Sequence, residues 1–153
     1  MFVPLKVERE TAFEILSQTP FFADLTTAQL IELAAIAHIV EYPQRALVYD
    51  IGQRAENFYV LVDGMVRFTI GLGSRQATAG EILRRGELFG WAALVERAQK
   101  RIATSLCVTP CAVLVINGNE CLALMDRDNS MGYRIMKQLN LLITSTLTSF
   151  AAG

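Results

Sequence analysis

The sequence predicts a small, mostly β domain, a sandwich or roll, with helices at both ends. Short β-branched and aromatic runs fill the middle of the chain, glycine-containing turns separate them, and helical apolar patterns lie before and after. The chain has 153 residues, the usual size of one domain, and contains no linker, repeat or low-complexity segment. We therefore predict a single domain over residues 1–153, with the β region at about 39–116 and C-terminal helices at about 117–151.

Two helices are predicted before the strands. Residues 7–16 carry several apolar side chains, and the pattern closes before Pro20. Thr26 is followed three residues later by Gln29, which is the spacing of a capping box. A second helix is therefore expected at 28–37, and its apolar residues place most of their bulk on one side.

Five strands are predicted after Pro43, where the apolar pattern changes from helical to strand-like. They are residues 46–49, 58–62, 65–70, 102–108 and 111–116. Asp63-Gly64 lies between the second and third of these strands and is a strong hairpin signal, because an Asp-Gly pair readily forms a two-residue turn. Short strands with tight connections are typical of a small sandwich or roll.

The C-terminal part of the chain is predicted to be helical again. Asn117, with Glu120 three residues later, has the pattern of a cap for a short helix at 121–125. Asp128 is the expected cap of a second, much longer helix.

This long final helix is expected to reach about Phe150 and to be partly buried on more than one side. An apolar stripe follows one of its faces: Met136, Leu139, Ile143, Leu147 and Phe150. No charged residue follows Lys137, so beyond that point the other faces of the helix carry only uncharged polar side chains. We therefore expect the chain to form a homodimer through this helix.

Composition argues against nucleic acids and membranes as partners. The net charge is −1, and no cluster of Lys and Arg could hold a phosphate backbone, so we predict no direct binding of nucleic acid. No apolar run approaches the roughly 20 residues of a membrane-spanning helix. Charged residues between Lys6 and Glu10 occupy the place where a signal peptide needs an apolar core, which predicts a cytoplasmic protein.

The sequence offers no set of residues typical of catalysis or of metal binding. Its 3 cysteines form no CxxC pair and His38 is the single histidine, so neither a zinc site nor a Ser/His/Asp or Cys/His set can be assembled. The cysteines are predicted to be buried free thiols. Asp126 and Asp128 stand at a helix start, where capping accounts for both. We predict that the protein is not an enzyme and holds no cofactor.

The most informative segment begins at Gly86 and ends at Thr104. Gly86 and Gly90 frame a turn, and a short apolar helix then begins at Trp91. The first amides of such a helix, beside the positive end of its dipole, suit a phosphate. Arg101 lies on the following strand and could return to the same place as a permanently protonated, forked donor.

In its order of elements the chain resembles the cyclic-nucleotide-binding domain family. The resemblance covers residues 16–150 and includes Phe21-Phe22, Gly52, Asp63-Gly64, the G-E-x-F-G run that ends at Gly90, and Arg101 at the right spacing. It implies a double-stranded β-helix, a jelly-roll-like β-roll with N-terminal helices, a short phosphate-cassette helix and a long C-terminal helix. It also implies that the final helix makes the dimer contact and moves with the ligand.

The resemblance implies a ligand site in this segment. Gly90, Ala92, Ala93 and Arg101 would contact the phosphate, and Leu88 and Phe89 would line the sugar side. The full set of expected ligand-binding residues is Glu87, Leu88, Phe89, Gly90, Trp91, Ala92, Ala93, Arg101, Ile102 and Ala103. Two readings stay open from the residues alone: Glu87 could be a turn residue that satisfies backbone amides, and Arg101 could form a surface ion pair.

Two positions depart from the family pattern. Trp91 stands where the family has a glutamate that accepts a hydrogen bond from the ribose 2′-hydroxyl, and an indole can only donate. Losing that charge-assisted bond would cost about 1.5–3 kcal/mol. Ile102, after the arginine, offers a phosphate nothing. Trp91 could stack on a base, fill the pocket or suit another ligand; bacterial members with G-W-[SA]-A-L here form a similar group.

The expected function is regulatory. We predict a module that binds a cyclic nucleotide such as cAMP or cGMP, or a related phosphate-bearing small molecule, and signals through its C-terminal helix to a separate effector protein. The alternative is an orphan β-roll that binds no nucleotide and acts as a dimerisation or protein-interaction scaffold. Transcription factors of this family carry a helix-turn-helix after the long helix; the sequence ends at Gly153, so we expect no direct reading of DNA.

Overall fold

A computed structural model describes residues 10–72, 75–95 and 100–145, and within these ranges the chain folds into two four-stranded antiparallel sheets with helices against one of them. The helices are α1 Ala12–Gln18, α2 Thr27–Ala35, α3 Gly118–Arg127 and α4 Asn129–Ser145. The strands are β1 Ala37–Tyr42, β2 Leu47–Tyr49, β3 Asn57–Asp63, β4 Val66–Leu72, β5 Arg75–Leu83, β6 Leu88–Phe89, β7 Thr104–Cys107 and β8 Cys111–Asn117. Two short 3-10 helices cover Pro20–Phe22 and Trp91–Leu94.

The order of strands is that of a β-roll, as predicted. The first sheet has the order β1-β8-β3-β6 and the second has the order β2-β7-β4-β5. Strands that follow one another in the chain therefore lie repeatedly in opposite sheets. The helical layer, with two helices before the roll and two after it, is also as predicted.

The hairpin predicted at Asp63-Gly64 is wrong. β3 pairs with β8 and β6, whereas β4 pairs with β5 and β7, so this turn carries the chain from the first sheet to the second. Gly64 has φ 96°, and a Cβ there would lie 2.4 Å from the carbonyl oxygen of Pro110. The absence of a side chain at Gly64 lets two corners of the roll touch: the turn from β3 to β4 and the connection from β7 to β8.

Three strands lie where no strand was predicted. β1 begins at Ala37, at the end of the predicted second helix, because pairing with β8 extends from Ala37 opposite Ile116 to Tyr42 opposite Cys111. β5 is poor in β-branched residues and is held by its partner β4. β6 is two residues long and pairs with β3. In each case a neighbouring strand provides the hydrogen-bonding partners, and local strand propensity does not reveal such a partner.

The predicted helix caps are confirmed. The Thr26 side chain accepts from the Gln29 amide and the Gln29 side chain accepts from the Thr26 amide, which completes the capping box of α2. The Asn117 side chain accepts from the Glu120 amide at the start of α3. The Asp128 Oδ1 atom accepts from the Met131 amide, 3.1 Å away, at the start of α4.

Two predicted helix ends lie outside the described residues. The first predicted helix began at residue 7, and residues 1–9 lie outside; α1 begins later, after its own capping box at Thr11 and Glu14. The long final helix was predicted to reach about Phe150, and α4 is described to Ser145.

The first sheet separates two clusters of buried side chains. Successive side chains of a strand point to opposite faces, so Phe58 and Val60 of β3 face the helices while Tyr59 and Leu61 face the second sheet. The helix-side cluster consists of Ile15, Leu16, Phe22, Leu25, Leu30, Leu33, Phe58, Val60, Leu88, Ala93, Leu94, Leu114, Ile116, Cys121, Leu124, Met125, Met131, Ile135 and Leu139. The roll cluster consists of Tyr49, Tyr59, Leu61, Val66, Phe68, Leu83, Phe89, Ala103, Cys107, Cys111, Val113 and Val115.

Polar contacts fix α4 against the N-terminal helices. The Arg134 Nη1 atom donates to the carbonyl oxygen of Asp24 at 3.0 Å and to the Gln29 side chain at 3.2 Å. Gln29 in turn donates to the Asp128 carboxylate at 3.1 Å. One side chain of α2 thus links the start of α4 to its second turn.

The helices of the described part of the chain are all too short or too polar to cross a membrane.

Candidate ligand-binding site

The turn before the short helix Trp91–Leu94 places a glycine in close contact with two side chains. Gly90 has φ 72°, in the left-handed region that favours glycine. A Cβ at this position would lie 2.9 Å from Tyr59 Cδ2 and 3.2 Å from Arg101 Nη1. Both the backbone conformation and the space therefore require glycine here.

Arg101 reaches the same turn and is buried, with only 3% of its surface exposed. Its Nη1 atom donates to the carbonyl oxygen of Gly90 at 2.9 Å, and its Nη2 atom donates to the carbonyl oxygen of Asn57. The guanidinium carbon lies 4.1 Å from the centre of the Tyr49 ring and 5.9 Å from that of Tyr59. The two features singled out in the sequence, the glycine turn and the arginine, are therefore adjacent in the structure.

The guanidinium keeps its charge in this buried place. Burial lowers the pKa of Arg101, and the neighbouring Tyr49 and Tyr59 act in the opposite direction. An arginine starts from so high a pKa that it stays protonated in proteins. A fixed positive charge thus lies beside the Gly90 turn, inside the roll.

Aromatic rings pack beside the guanidinium. The Tyr59 and Phe89 rings stack with centroids 5.1 Å apart, and Tyr49 stacks on Tyr59 at 5.9 Å. Phe68 meets Phe89 edge-on at 5.9 Å. Burial raises the pKa of Tyr49, and Arg101 only partly opposes this shift, so the phenol is neutral at physiological pH. Tyr49, Tyr59 and Asn57 were not predicted at this site. An aromatic residue on a strand is typical of core packing, and Asn57 contributes its backbone carbonyl, which every residue has.

The short helix is a 3-10 helix, and its residues are mostly buried. The Ala93 amide donates to the carbonyl oxygen of Gly90 at 3.3 Å, and both Ala92 and Ala93 are buried. Trp91 is half-buried and packs against both the helix-side and the roll cluster. Its indole nitrogen is buried, and no acceptor among the described residues lies within hydrogen-bonding distance.

The structure separates the remaining predicted site residues. Phe89 lies in the roll cluster, but Leu88 points to the helix-side cluster because neighbouring strand residues alternate. The Glu87 carboxylate accepts a hydrogen bond from the Arg84 amide at 3.0 Å. This agrees with the interpretation of Glu87 as a turn residue that satisfies backbone amides.

After the arginine, the next two residues differ in exposure. Ile102 is 47% exposed, whereas Ala103 is buried in the roll cluster. Of the predicted set, Phe89, Gly90, Trp91, Arg101 and Ala103 therefore lie at the roll side of the turn.

The short helix is also in close contact with α3. A Cβ on Gly118 would lie 2.2 Å from the carbonyl oxygen of Ala93, so only a glycine permits this approach. The Gly118 amide donates to the carbonyl oxygen of Glu56 at 2.8 Å. Met125, near the end of α3, is in turn close to Gly132 of α4: a Cβ on Gly132 would lie 3.2 Å from the carbonyl oxygen of Met125. Close contacts therefore run from the short helix to α3 and from α3 to α4.

The cysteines do not form a metal or redox centre within the described residues. Cys107, Cys111 and Cys121 are buried free thiols, as predicted. Burial raises the pKa of Cys107 and of Cys121 to about 12, so neither thiol forms the reactive thiolate at neutral pH. No group of three potential ligand side chains suited to a metal ion is present in the part of the chain that the structure describes.

Comparison with known proteins identifies the family. Residues 39–128 match the family described as the cyclic nucleotide-binding domain, which includes the whole Gly90–Arg101 region. The chain belongs to the cyclic nucleotide-binding domain family. The predicted resemblance is therefore confirmed.

The chain is also similar in sequence to one curated regulator and similar in fold to solved structures. The chain is 30% identical over 80 residues to the cAMP-activated global transcriptional regulator CRP of Pasteurella multocida, a match that covers 52% of this chain and 38% of the regulator. A Geobacter metallireducens structure described as a cyclic nucleotide-binding protein superposes with TM-score 0.77 at 20% identity, covering 91% of this chain and 99% of the other. The catabolite activator protein of Thermus thermophilus superposes with TM-score 0.70 at 23% identity, covering 83% and 59%.

Proposed function

We propose that this cyclic nucleotide-binding domain senses a cyclic nucleotide, such as cAMP or cGMP, or a related phosphate-bearing small molecule. The observation that carries the proposal is the buried Arg101 guanidinium, which donates to the Gly90 carbonyl at 2.9 Å beside a turn that excludes a side chain. A guanidinium is a strong, forked donor for phosphate oxygens. Placing such a charge inside a roll is costly unless an anion or strong acceptors compensate it.

The physical contacts support a route for the signal to the C-terminal helix. Ala93, in the short helix, contacts Gly118 at the start of α3, and Leu94 packs in the same cluster as Met125. Met125 contacts Gly132 of α4. Because the backbone of Gly118 lies so close to Ala93, and that of Gly132 so close to Met125, a ligand that shifts the short helix would shift α3 and α4 with it. A homodimer partner or a separate effector protein would then read the position of α4.

The first ligand to test is cAMP. The Pasteurella multocida relative is named as cAMP-activated, but the chain spans only 38% of its length, so its activity comes to this chain as a proposal. The experiment titrates the purified chain with cAMP and with cGMP and follows thermal melting. At 100 times its dissociation constant a ligand adds about 2.7 kcal/mol of stability. For a domain of this size that corresponds to a rise in Tm of about 5–10 °C.

A matched pair of arginine variants tests the role of Arg101. Arg101→Lys keeps the charge but loses the fork, so we expect at least about tenfold weaker binding by isothermal calorimetry. Arg85→Ala removes an exposed arginine whose side chain contacts Glu10, and it should bind as the wild type does. Equal binding by Arg101→Lys and wild type, or no response of the wild type to either nucleotide, would count against the proposal.

A scaffold that binds no nucleotide is the second candidate. Large apolar side chains of α4 are exposed, with Tyr133 at 68% and Leu141 at 56%. Such side chains suit contact with a partner helix, in a homodimer or with another protein. The same titration separates the candidates, because a scaffold shows no rise in Tm with either nucleotide.

A further inference from the structure

Two hydroxyl groups inside the roll are buried, and the residues that the structure describes offer them no hydrogen-bond partner. Tyr49 is 4% exposed and Ser105 is 0% exposed, and neither hydroxyl has a partner among the described residues. Buried polar groups are nearly always paired, and an unpaired one costs stability. A protein keeps such a group where something other than the fold makes use of it.

The two hydroxyl-bearing residues are neighbours on the inner wall of the second sheet. Tyr49 of β2 is directly opposite Ser105 of β7, so their side chains share a face of that sheet. Ser105 is also directly opposite Phe68, which lies in the roll cluster with Tyr49. The Arg101 guanidinium lies 4.1 Å over the Tyr49 ring. The unpaired hydroxyls therefore belong to the wall that carries the buried positive charge.

Packing does not account for these hydroxyls. Phe68 and Phe89 fill the same cluster with rings that carry no oxygen. The Thr104 hydroxyl, next to Ser105 in β7, is paired: it donates to the Asp50 carboxylate at 2.5 Å. Among the described residues, the Thr104 hydroxyl thus has a partner in Asp50, whereas the hydroxyl of its neighbour Ser105 has none.

We propose that the hydroxyls of Tyr49 and Ser105 bind the polar groups of the ligand other than its phosphate, such as the sugar or base of a nucleotide. This inference rests on the proposed function, in which Arg101 holds the phosphate. A neutral phenol and a serine hydroxyl can each donate or accept, so they suit a part of the ligand that carries hydroxyl or amine groups rather than charge. Binding would give both hydroxyls the partners that they lack among the described residues.

The proposal predicts opposite effects on stability and on binding. Tyr49→Phe and Ser105→Ala each remove an unpaired group, so the Tm of the ligand-free chain should stay unchanged or rise. The affinity for the nucleotide that the wild type binds, cAMP or cGMP, should fall about three- to tenfold for each variant, since one hydrogen bond is lost. Thr104→Val is the matched control: it removes a paired hydroxyl, so Tm should fall while the affinity stays within about twofold.

Melting curves and isothermal calorimetry on the whole chain decide the outcome. If the wild type binds and both variants bind equally well, the assignment of Tyr49 and Ser105 is wrong while the proposed function stands. If both variants lower Tm as Thr104→Val does, the hydroxyls have structural partners and the assignment is again wrong. If the wild type binds neither nucleotide, the proposed function fails, and this inference fails with it.

Discussion

The two sides of the first sheet differ in the polar groups that they bury. The helix-side cluster is made of aliphatic residues, phenylalanine and one thiol, and the polar side chains buried near it, Thr19 and Gln29, are hydrogen-bonded. The roll cluster contains two tyrosines and borders the buried Arg101. It also lies on the wall of the Tyr49 and Ser105 hydroxyls, which have no hydrogen-bond partner among the described residues. The strands of the first sheet contribute to both clusters, because successive side chains of a strand point to opposite faces.

In the proposed function, this difference separates stability from ligand binding. A cluster in which apolar groups pack and polar groups are paired stabilises the fold at little cost. In the proposed function, the roll cluster gives up stability for a ligand site, because it borders a buried charge and holds hydroxyls that have no partner among the described residues. Substitutions on the two sides of one sheet should therefore differ in what they change, even when they remove the same volume.

The largest expected effect comes from removing a buried ring on each side. Phe58→Ala and Phe89→Ala should each lower the free energy of unfolding by about 3–5 kcal/mol, because both rings are fully buried and each leaves a cavity. Chemical denaturation measures this loss. The rise in Tm with cAMP or cGMP should persist in Phe58→Ala and disappear in Phe89→Ala, because Phe89 directly precedes Gly90 and stacks on Tyr59.

Equal ligand responses in these two variants would break the comparison. The roll would then be a packing core like the helix side, and the ligand would bind elsewhere. A loss of binding in both variants would show that the site depends on the whole fold rather than on one face of the sheet.

A smaller effect distinguishes two glycines in left-handed turns. Gly86→Ala should cost about 1–2 kcal/mol, the penalty of the backbone conformation alone, because nothing lies within 4 Å of its Cβ position. Gly90→Ala meets Tyr59 Cδ2 at 2.9 Å, which adds about 1–3 kcal/mol from overpacking. Thermal or urea melts compare the two.

The pair also separates fold from site. Gly90→Ala should abolish nucleotide binding, since its Cβ would also lie 3.2 Å from Arg101 Nη1, whereas Gly86→Ala should bind as the wild type does. If the two variants melt and bind identically, the Tyr59 and Arg101 side chains can move away from the added methyl group at no cost. The close contact at Gly90 would then have no role in stability or binding.

The smallest effect is the pH dependence of the cap of α4 on the helix side. Hydrogen bonds from the Met131 amide, and next from the Gln29 side chain, hold the pKa of Asp128 below its ordinary value of 3.8. Because the folded pKa is the lower one, this stabilisation is complete well above 3.8 and is lost as the pH falls toward the folded pKa. Asp128→Asn keeps an acceptor for the Met131 amide, so it should fold and melt with a weaker dependence on pH below about 5. An unchanged slope in acid-unfolding curves would assign the dependence to other carboxylates.

Local sequence patterns determined the helix caps and the candidate turn. Each cap acts within one helical turn, so it can be recognised from the sequence without knowledge of the fold. This holds for the capping box of Thr26 and Gln29 and for the caps Asn117 and Asp128. The approach of Gly90 to Arg101 followed from the resemblance, because it depends on the order and spacing of a long segment.

Tertiary structure alone decided where each strand pairs and what lies in the roll. The same Asp63-Gly64 that favours a hairpin turns the chain between sheets, because Pro110 and the other corner occupy the space beside it. β5 and β6 exist because β4 and β3 offer them partners. Tyr49 lies opposite Ser105, more than 50 positions away in the chain, and neither hydroxyl has a partner in the part of the chain that the structure describes. No local pattern can bring residues so far apart together.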